Sequence, residues 1–114
     1  MAQERHLDTL REDHPRLLLD ASGLAALKAA ATNDATLVGV VEDVLRRAGQ
    51  DVDLPQLTYD KRGPRLLHVS RECLRRVWSL GMGWRWTGEQ RYADALVENL
   101  LTVCAFQDWN PSHF

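Results

Sequence analysis

Long apolar runs are missing from this sequence of 114 residues. Arg, Glu or Gly interrupts each one well short of the roughly 20 residues a membrane-crossing helix requires, so no membrane partner is expected. The opening MAQERHLDTLREDHPR is charged where a secretory signal carries an apolar segment. No signal peptide is read, which leaves the localisation unknown: periplasmic or secreted if a signal was removed, cytoplasmic otherwise. Cysteine is scarce. Cys73 and Cys104 have neither metal-ligand spacing nor the density of a disulfide framework, and both read as buried free thiols on helix faces. His6, His14, His68 and His113 lack HExxH or comparable spacing, so neither a metal site nor a cofactor is expected. Charge of one sign is not in excess either. With 14 basic residues against 16 acidic ones the formal charge is -2, which gives no overall pull toward nucleic acid or anionic lipid, so any anion site must be local. A Gly-rich phosphate loop, a GxSxG elbow and the DNA-binding motifs are absent. No stretch alternates in strand fashion, which makes the expected fold class all-α.

What is present is ordinary globular chemistry, 45% hydrophobic and 26% charged, in a length suited to one domain or part of a larger one. Residues 1–13 read as a polar N-terminal arm ended by His14 and Pro15, and residues 14–114 as a helical segment. Asp20 or Ser22 is placed to cap a first helix through Leu24, Leu27 and Ala31. Asn33 and Asp34 recap the chain for a second, with Leu37, Val41, Val44 and Leu45 at three-and-four spacing and Gly49 as its expected stop. Residues 50–64, with two prolines and a glycine, read as loop. A third helix is expected to present Leu67, Cys73, Leu74, Val77, Trp78, Gly81 and Trp84 as one apolar face, with Arg71, Glu72, Arg75 and Arg76 on its charged side. Thr87 and Gly88 end it, and a fourth helix from Glu89 repeats Tyr92, Ala93, Leu96, Val97, Leu100 and Val103. So short a turn predicts an antiparallel αα-hairpin, with Gly81 and Gly83 allowing close approach of a helix or ring.

The succession HPRLLL, a helix, WSLGMGWRWTGEQRYADALVENLLTVCAF and then DWNPSHF resembles the N-terminal part of the heparinase II/III family of polysaccharide lyases, over residues 14–114. The resemblance implies antiparallel helical hairpins forming part of an (α/α) toroid, with the remainder of the toroid C-terminal to Phe114. It implies an acidic polysaccharide or oligosaccharide as partner, of heparan sulfate or alginate type. The chemistry it implies is β-elimination at a uronic acid, through an Asn, His and Tyr set lying beyond this segment. No catalytic residue is therefore expected in this chain, and the segment alone is expected to be inactive. The TGEQRYADAL stretch is generic and also suits a helical-repeat interaction module of tetratricopeptide type, which is the alternative reading.

The candidate substrate-binding residues are Trp109, Asn110 and His113. An indole face stacks on a sugar ring, while an amide and an imidazole hydrogen-bond hydroxyls or a carboxylate. Against this, Trp109 also suits a plug in a helical wall, Asn110 a turn cap before Pro111, and His113 the start of a helix. Trp78 and Trp84 fall at helical spacing and read as core; Trp86, beside Arg85, is left open. Arg62, Arg65, Arg71, Arg75 and Arg76 form the one basic concentration. It suits either an anionic polysaccharide or a solvated face balanced by Glu72 and Asp60, with the solvated face the expectation.

Overall fold

A computed structural model describes residues 9–113; residues 1–8, residue 114 and the side chain of His113 lie outside the described residues. Most of the N-terminal arm, with His6, and the last residue of DWNPSHF fall there. Four helices run through the rest: α1 (Ala21–Ala30), α2 (Ala35–Val52), α3 (Leu67–Thr87) and α4 (Gln90–Cys104), followed by one 3-10 turn at Pro111–His113. An isolated bridge between Arg62 and Arg65 is the extent of β pairing among the described residues. The protein is all-α. It divides into two compact units, Met1–Leu37 and Val38–Phe114, with the division in the first turn of α2.

In the first unit Asp20 is the N-cap of α1. Its carboxylate accepts from the Gly23 N–H at 2.7 Å and the Ser22 hydroxyl at 2.9 Å, satisfying a donor that the helix leaves free at its start. Arg11 donates to the same carboxylate at 2.6 Å. The Gly23 N–H first, then Arg11 and Ser22, hold Asp20 at about 2, below the usual carboxylate range. Asp34 starts α2 in the same manner, accepting from the N–H groups of Thr36 and Leu37 at 2.9 and 3.0 Å.

In the second unit the core gathers Ala48 of α2, Leu80 of α3, and Tyr92 and Ala95 of α4, with Val52 and Leu96 packed against them. α3 and α4 form the expected hairpin. Gly88 ends α3 at φ 74°, a left-handed conformation that glycine adopts without steric cost, and its N–H is donated to the Trp84 carbonyl. At the crossing, a Cβ on Gly83 would stand 2.9 Å from the Ala48 Cβ and 3.1 Å from the Tyr92 ring. The absence of a side chain there is what lets three helices meet; Gly81 has ordinary clearance, 3.4 Å from Leu96.

Four sequence expectations are corrected. Gly49 does not stop α2, which runs on to Val52 because its last turn is anchored from outside: Asp51 is buried against Arg75, and Ala48 and Val52 enter the core. Trp78 and Trp84 are not core residues; Trp78 is 63% exposed. The face of α3 that is buried carries Val69, Cys73, Arg76, Leu80 and Gly83. A charged residue occupies the middle of that stripe, and the apolar pattern that remains lies largely on another side of the helix. Arg76 is accordingly 6% exposed rather than solvated. Of the two thiols, Cys73 is buried, which raises its pKa, while Cys104 is exposed.

Buried charge is tolerated because every member is paired. Arg75 grips Asp51 with two hydrogen bonds of 2.9 and 2.8 Å and reaches Glu72 with two more of 2.8 and 2.7 Å. Arg76 donates to Glu72 at 2.9 Å, to the Pro55 carbonyl at 2.8 Å and to the Asn99 Oδ1 at 3.1 Å. Asn99, also buried, donates in turn to the Ala95 carbonyl at 2.8 Å. One polar network therefore joins α2, α3, α4 and the connection after α2.

Candidate functional site

The DWNPSHF motif begins four residues after the end of α4 at Cys104 and folds back onto residues 59–64 of the long connection. Asp108 begins it with a turn of its own. Its Oδ1 accepts from the Asn110 N–H at 2.8 Å, a side-chain bond two residues along that stands in for a backbone turn. The same oxygen accepts from the Tyr59 hydroxyl at 2.7 Å. Both bonds favour the ionised carboxylate. The Asn110 N–H and then Tyr59 lower the Asp108 pKa, and Asp108 in turn raises that of Tyr59.

Asn110 sits at φ 58°, a left-handed conformation that Asn tolerates better than most residues. It is 5% exposed. Its Nδ2 donates to the Pro64 carbonyl, and its Oδ1 accepts from Lys61 Nζ at 3.1 Å and from the Ser112 hydroxyl at 3.4 Å. The amide is thus committed to the turn at residues 61–64. Trp109 is placed differently: it is 42% exposed, with its ring 5.3 Å from that of Phe106, which meets Tyr59 edge-on at 5.7 Å. The result is a row of three aromatics, Tyr59, Phe106 and Trp109, whose last member is exposed. Of the three candidate residues, Trp109 and Asn110 are adjacent on this anchored tail; the backbone of His113 lies in the following 3-10 turn, and its side chain lies outside the described residues.

Tyr59 and Lys61 belong to this arrangement without any signal in the sequence, since they stand 49 residues from their partners. The Asp108 turn had a local signature, a carboxylate two residues before the N–H it accepts from.

Near the anchored turn, Arg62, Arg65, Leu67, His68, Arg71, Glu72 and Arg75 line an open groove of about 420 Å³. Glu72 lies between Arg75 and Arg76, and chiefly Arg75 draws its pKa down to about 2. His68 Nε2 is 3.2 Å from Asp60 Oδ2. The expected balance of the basic concentration by Glu72 and Asp60 is thus distributed unevenly: Glu72 serves Arg75 and Arg76, Asp60 serves His68, and neither reaches Arg62, Arg65 or Arg71. Among the described residues no group of three His, Cys, Asp or Glu side chains is arranged to hold a metal ion, and no single helix is long and apolar enough to cross a membrane. The chain matches no protein-family model and no curated protein.

Proposed function

We propose that this chain is a segment of a polysaccharide lyase of the heparinase II/III-like kind, contributing helical hairpins to an (α/α) toroid and contacting an acidic polysaccharide through the loop after α4. In this reading Trp109 stacks on a sugar ring, Asn110 fixes the loop that carries it, and the groups for β-elimination are not among these residues. The observation that carries it is the contrast within the motif. Asn110 is buried with both its Oδ1 and its Nδ2 hydrogen-bonded, while its neighbour Trp109 packs against Phe106 and is 42% exposed. A fixed, exposed aromatic beside a polar anchor is suited to ring stacking at low entropic cost. The test is a pair of measurements. Oligosaccharides from alginate and heparan sulfate are expected to bind the chain and to bind Trp109→Ala at least about tenfold more weakly, a loss of about 1.4 kcal/mol; undiminished binding removes Trp109 from the role. Incubation with the same polymers is expected to give no unsaturated, ultraviolet-absorbing product, and turnover by the chain alone overturns the placement of the catalytic groups.

A second reading, a helical-repeat interaction module, is favoured by one observation. α3 exposes Leu67, Leu74 and Trp78 on the side opposite its buried stripe. This reading expects amphipathic helical peptides to bind the chain, to lose binding on Trp78→Ser and to keep it on Trp109→Ala.

A further inference from the structure

The arginines divide into two groups. Arg11, Arg46, Arg47, Arg75, Arg76 and Arg91 are each ion-paired, Arg16 donates to the Arg11 carbonyl, and Arg85 has an interaction of its own. Among the described residues that leaves Arg62, Arg65 and Arg71, and all three line the same groove. We propose that these three arginines form a binding site for a single tetrahedral oxyanion, a sulfate or phosphate group carried on a larger ligand.

The backbone brings the first two together. The Arg62 N–H is donated to the Arg65 carbonyl at 2.9 Å and the Arg65 N–H to the Arg62 carbonyl at 3.2 Å. Residues that exchange both bonds have Cα atoms about 5.5 Å apart and side chains on the same side of the ribbon. Two like charges directly opposite one another repel, and here no carboxylate stands between them. The turn is nonetheless held firmly. Gly63 takes φ 59°, and the Pro64 carbonyl is bound by the buried amide of Asn110. Arg71 completes the set from α3, four residues beyond Leu67 and on the same side of the helix. The acidic groups nearby are already engaged: Glu72 with Arg75 and Arg76, Asp51 with Arg75, Asp60 with His68. The groove therefore carries three guanidinium forks that form no ion pair of their own, beside a Glu72 shared between Arg75 and Arg76 and an Asp60 hydrogen-bonded to His68, in a chain whose net charge is -2.

Size and geometry select the ligand. A carboxylate offers two oxygens in one plane, which match one guanidinium fork edge to edge, whereas a tetrahedral ester group offers three outward oxygens in three directions and so suits three forks converging from different sides. The cationic area covers one tight turn and one turn of helix, the scale of a single group rather than of a nucleic-acid backbone, which recruits an extended basic stripe. If the carrier is a sugar, the inference deepens the carbohydrate reading and rests on it for the identity of the carrier. The oxyanion contact itself is tested with free ions, so the two fail separately.

The experiment follows the Nε–Hε signals of the arginines by NMR in the full chain, at constant ionic strength, with sodium sulfate, sodium phosphate and sodium acetate as probes. Arg62, Arg65 and Arg71 are expected to shift together along one saturable curve with sulfate or phosphate, and acetate to bind at least about tenfold more weakly. Arg62→Gln and Arg71→Gln are each expected to weaken binding about tenfold, and Arg46→Gln, in an exposed pair on α2, to leave it unchanged. Tighter phosphate binding points to a phosphorylated carrier and tighter sulfate binding to a sulfated one; both support the site. Shifts that rise linearly and spread over all exposed arginines, equal binding of acetate, or an equal loss in Arg46→Gln would each overturn it. Binding of a short DNA duplex with a salt dependence of many more than three released counterions overturns the single-group geometry. All three arginines are exposed, so the variants are expected to fold, and an unchanged helical circular dichroism spectrum verifies this.

Discussion

Asn110 combines a backbone conformation that few residues accept with a side chain whose donor and acceptor are both used inside the protein. Replacing it by Ala strains the backbone at φ 58° and strands the Pro64 carbonyl, and is expected to cost about 2 kcal/mol in denaturant unfolding. Asn110→Gly keeps the conformation, so the difference between the two variants isolates the backbone share; equal losses would mean that strain plays no part. Asp108 adds a pH dependence at the same place. Its folded pKa lies below the ordinary 3.8, so its stabilisation of the tail is complete above that pH and is lost as pH falls through the lower folded value. Asp108→Asn is expected to abolish the acid-induced change in Trp109 fluorescence; a variant that still shows it would place the titrating group elsewhere. Of this site, Trp109 and Asn110 were expected from the sequence, and the Asp108 turn was not. The Asp108 turn is a local pattern two residues long, whereas Lys61, Pro64 and Tyr59 meet the motif only because the chain returns 46 to 49 residues later, and no local spacing encodes that return.

Between elements, two glycines with the same local look have opposite roles. Gly49 lies inside α2 with nothing within 4 Å of a would-be Cβ, so Gly49→Ala is expected to stabilise by about 0.5–1 kcal/mol through helix propensity and a less flexible unfolded chain. Gly83 lies at the contact of α2, α3 and α4, where a methyl would press on the Ala48 Cβ at 2.9 Å. Gly83→Ala is therefore expected to cost about 1–2 kcal/mol despite the same gain in propensity. Thermal unfolding of the two variants checks both, and a stabilised Gly83→Ala would mean that the helices separate at little cost. The capping chemistry of α1 and α2, the stop of α3 at Gly88 and the α3–α4 hairpin followed from local rules. The buried face of α3 did not. Hydropathy assigns Trp78 to the core and Arg76 to water, and the reverse holds because Glu72, Asn99 and the Pro55 carbonyl supply what a buried guanidinium needs.

Across the second unit, that polar network replaces much of what an apolar core would do, and it makes stability sensitive to acid. Glu72 is held at about 2 against an ordinary 4.5. A depressed carboxyl pKa stabilises the folded state fully above the unfolded value and progressively less as pH falls from 4.5 toward 2. Glu72→Gln is expected to lower stability at pH 7 and to flatten the loss of stability between those two pH values; a variant with the wild-type acid profile would assign the transition to other carboxylates. The sequence by itself determined the all-α class, the caps of α1 and α2, the stop of α3 at Gly88 and the α3–α4 hairpin, because each depends on residues within a few positions of one another. Tertiary structure alone decided which face of α3 is buried, where α2 ends, and that the C-terminal motif clamps a distant arginine turn and leaves Trp109 exposed. Those outcomes depend on pairing charges and amides across tens of residues, and a buried charge satisfied at such range overrides the apolar pattern from which the sequence is read.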